Sequence, residues 1–185
     1  FLAKSHVEAG LADGGLSFGI PMNVAYINPF IESTLRSLDM MAGIAAEKTG
    51  LSVKEDLITT FDISSIIGIT GEVTGSIIIS VPAPLACKIA SNMLMEDIKD
   101  LDQRVEDAIG EIGNIVVGDA RRILIQDGHQ LNISVPTVVM GKGHKISRSG
   151  HIPCIAIPFN TPYGEFEVNV GLKDLSLHDV FVKSF

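Results

Sequence analysis

Only two cysteines, Cys87 and Cys154, occur among the 185 residues, and they stand in no metal-ligand, Cys-x-x-Cys or disulfide-framework spacing. One falls in an expected helix and the other in an expected strand, so both read as buried thiols of a reducing compartment. Tryptophan is absent and aromatics make up 5% of the chain, but hydrophobic residues reach 46%, a globular composition. No apolar run approaches the roughly 20 residues that a bilayer span needs. The opening residues also lack the basic start and continuous apolar core of a secretory signal, so a cytoplasmic protein without a membrane partner is expected. Lys and Arg number 14 against 22 Asp and Glu, a formal net charge of -8. That balance argues against unassisted binding to nucleic acid, whose phosphates need clustered basic side chains. It suits a protein partner with a basic patch, and solubility equally well.

Familiar catalytic signatures are missing too. The five histidines, His6, His129, His144, His151 and His178, form no HExxH or similar cluster, and no GxSxG elbow occurs. Gly141-Lys142-Gly143 lacks P-loop spacing, so the loop GKGHKISRSGH, which also carries His144 and His151, is expected to be solvated. No metal site is expected in this chain.

Length favours one domain. Residues 1–21 are Gly-rich and differ in texture from the remainder of the chain, and Met22 resembles a natural start. We therefore expect an extension over 1–21 and one domain over 22–185. A helix is expected over 29–48, with Pro29 in its first turn and Gly50 as its stop, burying Ile31, Leu35, Leu38, Met41 or Ala42, and Ala45. Strand-like runs come next at 51–57, 60–69 and 74–81, the last two joined by TGEVTG as a hairpin. A short helix over 84–95 precedes a long one over 102–126, with Asp100 or Asp102 as its N-cap. Strands resume at 130–140, 152–160 and 165–172, with TPYG as a second hairpin turn. A helix followed by a strand set thus occurs twice. The fold class is α+β: two pseudo-symmetric helix-plus-strand halves forming one mostly antiparallel sheet, with two long helices packed on one face.

The long helix, DQRVEDAIGEIGNIVVGDARRILIQ, is where chemistry can reside. Val105, Ile109, Ile112, Val116, Ala120 and Ile123 form the stripe expected to pack on the sheet. Glu111 and Asn114 project from the opposite face about 60° apart, with Asp107 one turn earlier. Gly110, Gly113 and Gly118 each cost roughly 1 kcal/mol of helix stability. Either a neighbouring backbone packs closely on the inner side, or something large approaches the outer face, and both can hold at once. A carboxylate and a carboxamide one turn apart are poor nucleophiles but can position a water and pair with a partner's cation. Spacing alone favours an ordinary solvated face.

The run Asp107, Glu111, Asn114, with Pro136 about twenty residues later, resembles the signature of the CheC/CheX chemotaxis phosphatases. The hairpin IIGITGEVTGSIIISVP resembles the glycine-punctuated strands before the second long helix of that family, and the likeness covers roughly residues 22–175. CheC-like members carry the pair on both long helices. Here Glu32 is followed by Leu35, so one site per chain resembles the CheX branch and implies a homodimer. The resemblance implies hydrolysis of the aspartyl phosphate of a CheY-type response regulator. Asn114 would orient the attacking water, Glu111 would pair with the regulator's lysine, and Mg²⁺ would come from the regulator. Asp107, Gly110, Gly113, Gly118 and Pro136 would then belong to the docking surface, the glycines giving a smooth helix face. The competing reading is a non-catalytic regulator-binding module, such as a flagellar-switch-like domain of the same architecture.

Overall fold

The computed structural model describes residues 26–54, 57–58, 61–143, 145–146 and 154–175. Residues 1–21, and with them His6, lie outside the described residues, as do His144, His151 and His178. The first helix, α1 (Asn28–Ala42), begins with Pro29 in its first turn as expected, but it ends earlier. Gly43, at φ 60°, takes the left-handed C-cap conformation and its N–H bonds back to Asp39, a geometry that favours glycine. Gly50 instead lies against Pro158, and the intervening residues include β1 (Glu47–Lys48), followed by β2 (Ser52–Lys54).

The buried face of α1 also differs from the expected stripe. Phe30, Ser33, Thr34, Ser37, Leu38 and Ala42 are buried, Ile31 and Leu35 are half-buried, and Ala45 is exposed. Small hydroxyl side chains at Ser33, Thr34 and Ser37 occupy little width, so the helix can settle deep in the fold. Thr34 satisfies its own hydroxyl by donating to the Phe30 carbonyl at 2.7 Å, which removes the penalty for burying it.

The strands β3 (Leu57–Ile58), β4 (Ile63–Gly71) and β5 (Val73–Val81) come next, then α2 (Ala83–Leu94) and α3 (Gln103–Gln126). After α3 the chain forms β6 (Leu131–Ile133), β7 (Thr137–Met140), β8 (Lys145–Ile146), β9 (Cys154–Thr161) and β10 (Gly164–Asp174). Both expected hairpins form, β4 with β5 and β9 with β10, and both are antiparallel. The sheet order is β1-β9-β10-β5-β4-β6, with β2 also on β9 and β7 also on β4. The short strands that follow α1 therefore pair with the second half's hairpin, and those that follow α3 pair with the first half's. This exchange interlocks the halves, and the short pair β3–β8 repeats it in miniature.

The core lies between the sheet and the helices. On α3 the buried residues are Val105, Ala108, Ile109, Ile112, Gly113, Val116, Val117, Ala120 and Leu124. Ile123, expected in that stripe, is only half-buried, and Leu124 takes its place. The helix start is capped as foreseen: Asp102 accepts from the Arg104 N–H at 2.9 Å and the Val105 N–H at 3.3 Å. Both cysteines are buried, in α2 and β9.

The glycines of α3 divide by environment. A Cβ on Gly113 would run into the Ser65 hydroxyl and stand 3.0 Å from Ser65 Cβ and 3.1 Å from Ile67 Cδ1, so α3 touches β4 at this point. A Cβ on Gly118 would meet nothing within 4 Å. Gly113→Val is therefore expected to lose about 1–3 kcal/mol through overpacking, while Gly118→Ala gains up to about 1 kcal/mol from helix propensity. Urea midpoints of the two variants check this pair of opposite signs.

The Asp102 cap carries a pH signature. The Arg104 side chain, and then the two capping N–H groups, hold its carboxyl below the usual carboxylate range. A carboxyl with a depressed folded pKa stabilises above its unfolded pKa, and that stability is lost as pH falls through the folded value. The stability gap between the native chain and Asp102→Ala should accordingly be level near neutrality and close at acid pH, as measured by urea unfolding across that range.

Candidate functional site

Glu111 and Asn114 are both exposed on α3, with Asp107 one turn before them. Side-chain directions along a helix put Gly118 between the two azimuths, one turn beyond Asn114. The open space over Gly118 thus extends the outer face next to the carboxamide. Gly113 does not belong to that face: it is buried against β4. Gly110 borders it, since its Cβ would stand 3.3 Å from Val138 Cγ2 of β7. One smooth face made jointly by three glycines is therefore replaced by a division of labour. Gly113 lets the sheet approach, Gly110 lets β7 approach, and Gly118 leaves the outer surface bare.

Charge pairing around the site is uneven. Arg36 of α1 bonds Asp119, which also holds Arg122 at 2.7 Å. Arg104 pairs with Asp102 at 2.6 Å and with Glu96 at 2.8 Å, and Arg121 Nε donates to the Leu131 carbonyl at 2.6 Å. Asp107 accepts from Gln103 Nε2 at 2.9 Å. Among the described residues, the side chains of Glu111 and Asn114 make no hydrogen bond or ion pair. The neighbouring cations are thus tied elsewhere, leaving an exposed carboxylate without a counter-charge and a carboxamide with both donor and acceptor unused.

Pro136 is half-buried and lies in the link between β6 and β7, just before the strand that packs beside Gly110. A single strand over 130–140 was expected here. Instead, Ser134 interrupts it: its N–H donates to the Gly68 carbonyl and its hydroxyl accepts from the Gly68 N–H, both at 2.9 Å. A proline inside a strand pattern is the signal of such a break, and it was present in the sequence. On α1, Glu32 is exposed and Leu35 half-buried, so the acid-amide pair occurs on α3 and not on α1.

No helix among the described residues is long and apolar enough to cross a membrane. No group of three or more His, Cys, Asp or Glu among them could hold a metal ion.

Comparison with known proteins places the chain in a family. The model of the family described as chemotaxis phosphatase CheX matches residues 63–160, more than half the chain. The CheY-P phosphatase CheX of Thermotoga maritima is 32% identical over 155 residues, which cover 82% of this chain and 98% of that protein. The crystal structure of chemotaxis protein CheX from Desulfovibrio desulfuricans superposes with a TM-score of 0.74 at 38% identity, covering 80% of this chain and 99% of that one. A CheX from Borrelia burgdorferi, solved in complex with CheY, BeF3 and Mg+2, gives a TM-score of 0.67 at 28% identity, covering 82% and 99%. With an α+β fold, an antiparallel sheet and an exposed acid-amide pair on its second long helix, the chain belongs to the CheX chemotaxis phosphatase family.

Proposed function

We propose that this protein is a phosphatase of a CheY-type response regulator, and that Glu111 and Asn114 are its working residues. The observation that carries the reading is the unpaired acid-amide couple on an exposed helix face, in a chain whose relative is a CheY-P phosphatase. The reaction is attack of water on the phosphorus of the regulator's aspartyl phosphate. The acyl phosphate P–O bond breaks, and the carboxylate and inorganic phosphate are released. This chain supplies no nucleophile.

Asn114 can accept a hydrogen bond from the water through its carbonyl and donate from its amide, fixing the water in line with the phosphorus. Glu111, lacking an internal counter-charge, is available to a lysine of the regulator's phosphorylation pocket, an ion pair that would dock the helix. Mg²⁺ belongs to the regulator in this scheme, a reading supported by the Borrelia complex, which holds CheX, CheY, BeF3 and Mg+2 together. Asp107 and Pro136 border the docking face, with Gly118 keeping it clear of side chains.

The same reading includes a homodimer. Leu51 and Val53 are 52% and 65% exposed at the sheet edge formed by β2, and apolar edge strands are commonly covered by a partner. Mass measurement at micromolar concentration should give twice the chain mass, and a monomer would count against it.

For the site, Asn114→Ala should fold normally and reduce phosphate release to the regulator's own rate, a loss of about 100-fold or more in acceleration. Glu111→Ala should both weaken regulator binding and slow turnover. Phosphate release measured with a panel of phosphorylated host regulators is the test, and undiminished release by Asn114→Ala would overturn the assignment.

A further inference from the structure

Two large apolar side chains near this helix are left in water. Val135 is 84% exposed and Met40 is 73% exposed, and the contacts of α3 fix where each stands. Along one flank, Gly110 abuts Val138 and Arg121 reaches the Leu131 carbonyl. As α3 advances from 110 to 121, the edge strand therefore runs from 138 back to 131. Asn114 falls in the first half of that interval, level with Val135 and Pro136.

Along the other flank, the Tyr26 ring lies 4.8 Å from the His129 ring and Arg36 bonds Asp119. Tyr26 stands just ahead of α1 and His129 just past the end of α3, while Arg36 and Asp119 lie within the two helices, so α1 and α3 run antiparallel. One turn on from the Arg36–Asp119 contact, Met40 stands level with Ile115. The polar pair is thus bracketed by one exposed apolar side chain on each side.

The exposure of Val135 is built in. The Ser134 hydroxyl donates to the Val135 carbonyl at 2.8 Å while accepting from Gly68 N–H. Proline at the next position restricts Val135 to extended backbone. Holding a large apolar side chain in water on a fixed link serves a contact better than it serves the isolated fold.

Charge supplies little of that contact. The chain carries a formal net charge of -8, the arginines near the site are engaged internally, and the target pocket holds an anionic phosphoryl group. Beyond the Glu111 ion pair, attraction between two such surfaces has to come largely from buried apolar area.

We propose that Val135 and Met40 are positioning residues that seat the phosphorylated regulator over Glu111 and Asn114, each packing on apolar side chains at the rim of its phosphorylation pocket. The inference rests on the phosphatase reading. Its test is phosphate release against regulator concentration for the native chain, Val135→Ser, Met40→Gln and the double variant. Each single change should raise KM about tenfold with kcat held within about twofold, and the double change should multiply the two effects.

Both side chains are exposed, so urea midpoints should stay at the native value. Unchanged KM in both single variants, or a fall in kcat at constant KM, would overturn the proposal. A second measurement separates its failure from that of the phosphatase reading. Asn114→Ala, with and without Val135→Ser, is titrated with the CheY-type regulator loaded with beryllofluoride and Mg²⁺. Tenfold weaker binding on adding Val135→Ser supports the seat, and equal binding overturns it even if Asn114 proves essential. If Asn114→Ala releases phosphate as fast as the native chain, the phosphatase reading fails, and failure of the native chain to bind the loaded regulator removes both.

Discussion

The contact between Gly113 and the Ser65–Ile67 stretch of β4 sets the position of everything on the outer face of α3. A helix carrying any larger residue there would ride higher on the sheet by the width of the added group. Because Ser65 Cβ and Ile67 Cδ1 already stand at 3.0 and 3.1 Å from the place of a Gly113 Cβ, there is no slack to absorb it. The same approach brings Gly110 against Val138 and lets Arg121 span to the Leu131 carbonyl. The helix is thereby pinned to both β4 and the edge strands beside it. A site made of two side chains on one helix inherits its precision from that pinning, since neither Glu111 nor Asn114 has a local bond to hold it.

Strand exchange adds a second constraint. The edge segments after α3 pair with the hairpin of the first half, and those after α1 pair with the hairpin of the second. Neither half can shift along the sheet without breaking ladders in the other. The link at Ser134 is part of this lock, because Gly68 is bonded through both of its backbone groups at the point where β6 ends and before β7 begins. Fold and site are coupled here: the strand that anchors the interlocked sheet is also the one that borders the face carrying Glu111 and Asn114.

What could be read from the sequence was local. The Asp102 cap, the span of α3, both hairpins and the outward direction of Glu111 and Asn114 follow from chemistry within a few residues, and each is present. Helix α1 ends earlier than its pattern implies because apolar periodicity continues past Gly43, and only the left-handed backbone there stops the helix. Ile123 shares its azimuth with the buried Val105, so periodicity cannot distinguish them, and only the packing around the last turn of α3 leaves Ile123 half-buried and Leu124 buried. The division of the three glycines was also hidden. Their cost to the helix is the same in sequence, and only the strand beneath Gly113 distinguishes it from Gly118. Strand exchange leaves no local trace at all, since its pairing partners lie far apart along the chain.

On the proposed mechanism, an enzyme without a nucleophile has to keep its working groups unsatisfied until the partner arrives. Within this fold that condition is met by subtraction: Asp119 holds both Arg36 and Arg122, Asp102 and Glu96 hold Arg104, and a backbone carbonyl holds Arg121. Had any of these arginines been left unpaired within reach of Glu111, an internal ion pair would compete with a lysine from outside, and docking would have to break it. Exposed pairs of this kind add little to stability, so their weight in the design lies in what they withhold from the site. The acidic balance of the chain then becomes a local matter as well as a global one. In the proposed function, the cation completing the Glu111 pair would come from the regulator, along with the phosphoryl group and the metal.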